Sequence, residues 1–156
     1  MNNIYYSLYS KQRFLKINGY NVIYKKSGNS QRKEEKLIKN LESEKTVGTA
    51  ESCTSGMIAS AITLVPGASD YFKGGIVSYS DQIKIDVLKV DADVIAEKTA
   101  VCEEVAIQMV KGVIDVLNVD YAISATGFAG PGGADGVPVG TIWLACGNKD
   151  EQVTLK

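Results

Sequence analysis

Four short β-rich runs, TVGTA (46–50), GGIVSYS (74–80), YAISAT (121–126) and VGTIWLAC (139–146), punctuate the chain, and this alternation constrains its fold most. Between them lie helical or glycine-rich stretches. SGMIASAITLV (55–65) is apolar nearly all round and stops at Pro66-Gly67, which reads as a buried helix. Ser80-Asp81 opens a capped helix over DQIKIDVL, and DADVIAEK (91–98) reads as a capped turn. Residues 103–117 carry Val105, Met109, Val113 and Val116 on one side of an amphipathic helix. Strands alternating with helices predict an α/β domain with a mainly parallel sheet covered on both faces.

Residues 1–31 differ from the rest. They are polar and tyrosine-rich, and Asn18-Gly19 sits between two β-type runs in RFLKINGYNVIYKK, the mark of a two-residue hairpin. A lone hairpin is only marginally stable, so an extended arm is the open alternative. Residues 33–45 are charged, with Leu37, Ile38 and Leu41 forming the stripe of a surface helix. The division read from the sequence is therefore an N-terminal arm or hairpin at 1–31 and one domain at 32–156.

Composition narrows the chemistry. The 156 residues contain no histidine, which excludes Ser-His-Asp and Cys-His mechanisms within one chain and any metal site that needs imidazole. A formal net charge of -1 gives no basic excess for nucleic acid or an anionic membrane. Cys53, Cys102 and Cys146 are widely spaced, without a CxxC pair, and read as free thiols of a reducing compartment. No apolar run reaches the about 18 residues of a membrane span. A cytoplasmic location is expected.

Parallel α/β sheets bind ligands outside the carboxyl ends of their strands, and ESCTSG, YSDQIK and GFAGPGG all fall there. Ser52, Thr54 and Ser55 lie at a strand-to-helix turn, where backbone N–H groups favour an anion or a developing oxyanion. The bland reading is that these hydroxyls cap the helix. Tyr79 is expected to end a strand, with Ser80 as N-cap and Lys84 on the first helical turn. A cation there is disfavoured by the helix end and by partial burial, the direction a lysine base requires. A Tyr-Lys pair could then take a serine proton without histidine. The plain alternative is a solvated surface lysine. The stretch 127–140 lacks both the GxGxxG spacing and a Walker lysine. It reads equally as a backbone cradle for phosphate or as a turn shaped by Pro131 and Pro138.

Together, TAESCTSG, GGIVSYSDQIKIDVL and ATGFAGPGGADGVPVGTIWLA, in this order and spacing, resemble the CinA C-terminal domain family. Its enzymatic members are nicotinamide mononucleotide deamidases of the PncC type. The resemblance covers about 46–146 and implies a three-layer α/β/α fold with a mostly parallel mixed sheet. It implies hydrolysis of the nicotinamide mononucleotide carboxamide to nicotinate mononucleotide and ammonia, with no metal and no cofactor. The family's nucleophile falls on Ser52, its tyrosine on Tyr79 and its lysine on Lys84. Thr54, Ser55 and Gly56 then border the substrate, and Thr126 with Gly127, Gly130, Gly132 and Gly133 is assigned to the ribose phosphate. The small-molecule substrate is the expected partner, with neither nucleic acid nor membrane, in a homo-oligomer taken as a dimer. The alternative function is a catalytically silent nucleotide-binding module of a competence or damage-inducible protein. A third reading, a structural partner domain, rests only on the N-terminal tyrosines.

The sequence also departs from the family pattern. Ser55 stands where members usually have a second glycine. Cys102 replaces a serine that would cap the long helix, a loss of about 1 kcal/mol. The family's closing C-terminal helix is expected to be missing after DEQVTLK, and the pyrophosphatase domain that precedes the module in full-length CinA proteins has no counterpart in the sequence.

Overall fold

The computed structural model describes 6–9, 12–17 and 20–24 by their backbone, and 45–130 and 136–156 with side chains. The chain folds as two units, Met1–Glu44 and Lys45–Lys156. In the first, β1 (Tyr6–Tyr9), β2 (Gln12–Ile17) and β3 (Tyr20–Tyr24) form an antiparallel sheet in the order β1-β2-β3. Ile17 pairs with Tyr20, the register of a two-residue connection, so the runs flanking Asn18-Gly19 pair as a hairpin. Asn18, Gly19 and the helix expected at 33–45, up to Glu44, lie outside the described residues. β1 was not expected, because its polar, tyrosine-rich sequence gives no alternation; pairing with β2 adds the third strand that a lone hairpin lacks.

The second unit is built on a five-stranded sheet in the order β5-β4-β6-β7-β8. Its strands are β4 (Val47–Glu51), β5 (Phe72–Val77), β6 (Tyr121–Gly127), β7 (Ile142–Gly147) and β8 (Gln152–Leu155). β4 runs parallel to β5 and β6, whereas β7 is antiparallel to both β6 and β8. The mixed character has a local cause. The connections from β4 to β5 and from β5 to β6 carry helices, as parallel crossovers usually do, and no helix is described between β6 and β7.

Five helices are described: α1 (Met57–Thr63), α2 (Ala68–Tyr71), α3 (Asp81–Asp86), α4 (Ala92–Lys98) and α5 (Glu103–Leu117). α5 covers one face of the sheet, where its fully buried Val105, Met109, Val110 and Val113 meet Ala50, Ala122 and Ala145. Leu88, just beyond α3, joins the same core. α1 lies on the opposite face, close enough that a Cβ on Gly75 would sit 3.3 Å from the Cβ of Ala59. The three-layer arrangement follows. The expectation that α1 is buried all round is corrected: none of its residues is fully buried, and Met57 is 65% exposed. The helix packs on β4 and the edge strand β5, with Ala59 beside Gly75, and its outer side is exposed at Met57 and at Leu64 just beyond its end.

Candidate functional site

The turn after β4 is organised by Glu51. Its carboxylate, 1% exposed, accepts hydrogen bonds from the backbone N–H groups of Gly56 (3.0 Å), Ile58 (3.0 Å) and Ala59 (2.8 Å). A buried anion thus fills the positive end of α1 and satisfies its orphan donors. The reading in which Ser52, Thr54 or Ser55 caps this helix is corrected, because the N-cap is Gly56 and it makes no side-chain cap bond. Gly56 has φ +91 and Ser55 has φ 50, so two successive left-handed residues turn the chain into the helix. Ser55 is exposed, and the hydroxyl of Thr54 is buried with no hydrogen-bond partner.

Ser52 is freed from capping and held by the sheet. Its N–H donates to the carbonyl of Ala125 at 2.9 Å, which continues the β4–β6 ladder one residue beyond β4. On the other side, the N–H of Ser78 donates to the carbonyl of Glu51 at 2.8 Å. Ala50 is in register with Ile76 and with Ser124, so two residues further along Ser78, Ser52 and Thr126 form a row at the carboxyl ends of three parallel strands. That row shares the face covered by α5, because the hydroxyl of Ser124 donates to the carbonyl of Ala106 in α5 at 2.7 Å. All three residues are buried.

Lys84 lies on α3, the helix that follows β5. Ser80 accepts a hydrogen bond from the N–H of Ile83 at 3.3 Å, which makes Ser80 the N-cap of α3 as its sequence predicts. Lys84 is not a solvated surface residue: it is 1% exposed, and its Nζ donates to the carbonyl of Tyr79 (3.4 Å) and to Asp81 Oδ1 (3.2 Å). The amine therefore folds back over the segment that leaves β5. Burial pushes the Cys53 thiol up, while its own backbone N–H and the charge of Lys84 pull it down, so the lysine is felt at the residue next to Ser52. Tyr79 lies two residues beyond the end of β5 and is 73% exposed. The bond described between Tyr79 and Lys84 runs through the Tyr79 carbonyl rather than the phenol.

The glycine-rich connection divides. Gly127 belongs to β6, where an added Cβ would lie 2.8 Å from the carbonyl oxygen of Thr141 and 3.0 Å from Cys53 Sγ. Its missing side chain thus serves close packing. Gly130 has nothing within 4 Å of where a Cβ would be, and it faces open space. Gly132 and Gly133 lie outside the described residues. The hydroxyl of Thr126 donates to the carbonyl of Ala100 at 2.7 Å, which ties β6 to the turn between α4 and α5. In that turn Thr99 holds φ 72 and ψ 165, a conformation that strains any residue but glycine.

The family model of the CinA C-terminal domain matches residues 29–156. The chain belongs to the CinA C-terminal domain family. A CinA-like protein of Leptospira borgpetersenii is 48% identical over 118 residues, spanning 74% of this chain and 28% of that protein. A CinA-like protein of Trichodesmium erythraeum is 43% identical over 114 residues, 72% of this chain and 27% of that protein. The chain thus spans a little over a quarter of the length of these curated relatives. Among solved structures, a competence-damaged protein (CinA) superfamily protein from Escherichia coli superimposes with a TM-score of 0.71 at 36% identity, over 78% of this chain and 69% of that one. The competence/damage inducible protein CihA from Agrobacterium tumefaciens gives a TM-score of 0.68 at 35% identity, over 72% and 69%.

Two buried residues of this candidate site were given no role by the sequence reading, although both lie within its motifs. Glu51 could have been found as a carboxylate five positions ahead of the glycine that starts α1. Ser78 sits inside a β-rich run and is indistinguishable there from a packing residue; only the register of β4 and β5 sets it beside Ser52.

Proposed function

We propose that the second unit is an amidohydrolase that converts nicotinamide mononucleotide to nicotinate mononucleotide and ammonia through a serine acyl-enzyme. The observation that carries this reading is that Ser52, buried just beyond the end of β4, is followed by Cys53, whose thiol feels the charge of the buried Lys84, in a chain without histidine. Ser52 Oγ attacks the carboxamide carbon, Lys84 accepts its proton and returns it to the departing nitrogen, and water then resolves the ester. The backbone amides of Cys53 and Thr54 are the candidates for the oxyanion, because those of Gly56, Ile58 and Ala59 already hold Glu51. The N–H groups of Ser55 and Met57 are bonded to the carbonyls of Ser52 and Thr54. Thr54, with its buried unpartnered hydroxyl, borders the substrate, and the Tyr79 carbonyl helps hold the Lys84 amine. Gly130, like Gly136 and Gly140, has open space where a Cβ would be, and of the glycines assigned to the phosphate it is the described one with such room. The reaction, cytoplasmic location and dimeric assembly are offered together as this reading of the family site.

The test is ammonia release from nicotinamide mononucleotide. Ser52→Ala should abolish turnover while calorimetric titration still detects nucleotide binding, because the hydroxyl serves chemistry and not docking. Lys84→Arg should be nearly inactive, since guanidinium keeps its proton. Nucleotide binding by the wild type without ammonia release would favour the silent binding module. The exposure of Tyr79, whose described bond to the Lys84 amine runs through its carbonyl, is the observation on that side.

A further inference from the structure

Residues 52–55 carry the proposed nucleophile, and Glu51 fastens this segment at both ends. The Glu51 backbone is the last link of β4, in register with Val77 of β5 and Ala125 of β6, and its carbonyl accepts the N–H of Ser78 at 2.8 Å. Its side chain crosses to the far end of the segment. There Oε2 accepts from the N–H groups of Gly56 and Ile58, both at 3.0 Å, and Oε1 from that of Ala59 at 2.8 Å. The residue is 1% exposed, so water has little access to these bonds. What lies between is under strain. Ser55 has φ 50 and Gly56 φ 91, and a left-handed residue other than glycine persists where its surroundings hold it. The seven residues of α1 are too few to hold a helix end by themselves. Within the turn, the N–H groups of Ser55 and Met57 reach the carbonyls of Ser52 and Thr54 at 3.1 and 2.9 Å. The hydrogen-bonded tie from α1 back to β4 is the Glu51 carboxylate.

We propose that Glu51 is a positioning residue for the reaction at Ser52, its buried carboxylate clasping the turn so that the Ser52 hydroxyl and the backbone amides of Cys53 and Thr54 keep one arrangement. The inference rests on the reading of Ser52 as nucleophile, and it adds what holds that nucleophile in place. Both carboxylate oxygens are engaged by α1, so Glu51 neither takes the Ser52 proton nor binds substrate. Its loss would free three backbone N–H groups and let Ser55 relax towards the right-handed backbone that L residues favour. The amides and hydroxyl ahead of Ser55 would turn with it. The consequence falls on rate rather than affinity, because a displacement of about 1 Å in a reacting group can cost on the order of 100-fold.

The experiment follows acylation of Ser52 by p-nitrophenyl acetate, read as p-nitrophenolate release per folded molecule, with peptide mass mapping to confirm the modified residue. Glu51→Gln keeps the size of the side chain but sets an amide donor against a backbone N–H, and it should acylate on the order of 100-fold more slowly. Its kcat for ammonia release from nicotinamide mononucleotide should fall alike, with KM kept within about 2-fold. Glu51→Ala should be as slow, and added acetate, which replaces the lost methylene and carboxylate, should restore its rate where chloride at equal ionic strength does not. A merely structural carboxylate would cost folded protein and leave the rate per folded molecule unchanged. Wild-type rates per folded molecule in either variant, or acetate that raises the melting temperature but not the rate, would overturn the positioning role. Amide hydrogen exchange of the wild type decides the matter even if both variants unfold: Gly56, Ile58 and Ala59 should be protected, and exchange there at free-peptide rates would overturn the clasp. Ammonia release by the wild type is measured alongside. Its absence with normal Ser52 acylation overturns the nucleotide reading and leaves the clasp standing, whereas failure of wild-type Ser52 to acylate overturns both.

Discussion

Ser55 shows how a single position can carry both a departure from the family pattern and its cost. Its φ of 50 belongs to the left-handed region, where a β-carbon is crowded and glycine is at ease. The family's usual glycine is thereby explained by backbone geometry. Ser55→Gly should raise stability by about 0.5–1 kcal/mol, read from the urea midpoint. A lower midpoint would mean that the hydroxyl holds the turn. Asp120 is the matching case at the start of β6. The Lys45 ammonium at 2.9 Å and the Thr46 backbone N–H at 2.8 Å hold its carboxyl down at about 2. A depressed carboxyl stabilises the fold above the unfolded value near 3.9 and loses that contribution as pH falls towards the folded one. The Asp120 side chain is 34% exposed and that of Lys45 49%, so screening trims the effect to about 1 kcal/mol. Asp120→Asn should be less stable than wild type at neutral pH, and the gap between their melting curves should close as the pH approaches 2. A gap unchanged by acid would show that the lost stability is not that of the charge.

Among the elements, α5 sets where Lys84 can stand. A Cβ on Gly112 would lie 2.1 Å from the carbonyl oxygen of Leu88, which is backbone and cannot rotate away. The carbonyl of Lys84 accepts from the N–H of Val90 at 3.0 Å, which ties Lys84 to the segment that Leu88 packs against the helix. Alanine is favoured over glycine within helices by about 1 kcal/mol, yet Gly112→Ala should lower stability by about 2 kcal/mol and cut activity with it. A neutral or stabilising result in thermal melts would mean that α5 and the Leu88 segment separate freely. Here the sequence was partly legible. Apolar spacing at Val105, Met109 and Val113 identified the helix and its buried side, whereas Val116, read onto the same side, is exposed near the helix end, and a glycine within the helix carries no sign of what it must admit. The same limit applies to α1, whose apolar composition predicted burial that the edge of the sheet does not supply. Cys102 stands at the N-cap of α5 without a side-chain cap bond, as its replacement of a capping serine implied.

Across the whole molecule, the alternation of strands and helices disclosed the α/β class because each parallel crossover must carry a covering helix, and that need is written locally in the chain. Strand order and the antiparallel return of β7 and β8 were not legible, since they depend on pairing between segments far apart in sequence. The candidate site follows the same division: Ser52 and Lys84 were proposed from their motifs, while the burial of Ser78 beside Ser52 depends on the register of β4 and β5. The central claim is that Ser52 becomes acylated by the substrate. The most direct measurement is rapid acid quench of wild-type protein turning over nicotinamide mononucleotide, followed by mass mapping of the peptide that contains Ser52. The account predicts a nicotinate mononucleotide acyl adduct on Ser52 that forms as ammonia is released and is absent from Ser52→Ala. Sustained ammonia release with no adduct, and equal release by Ser52→Ala, would contradict it.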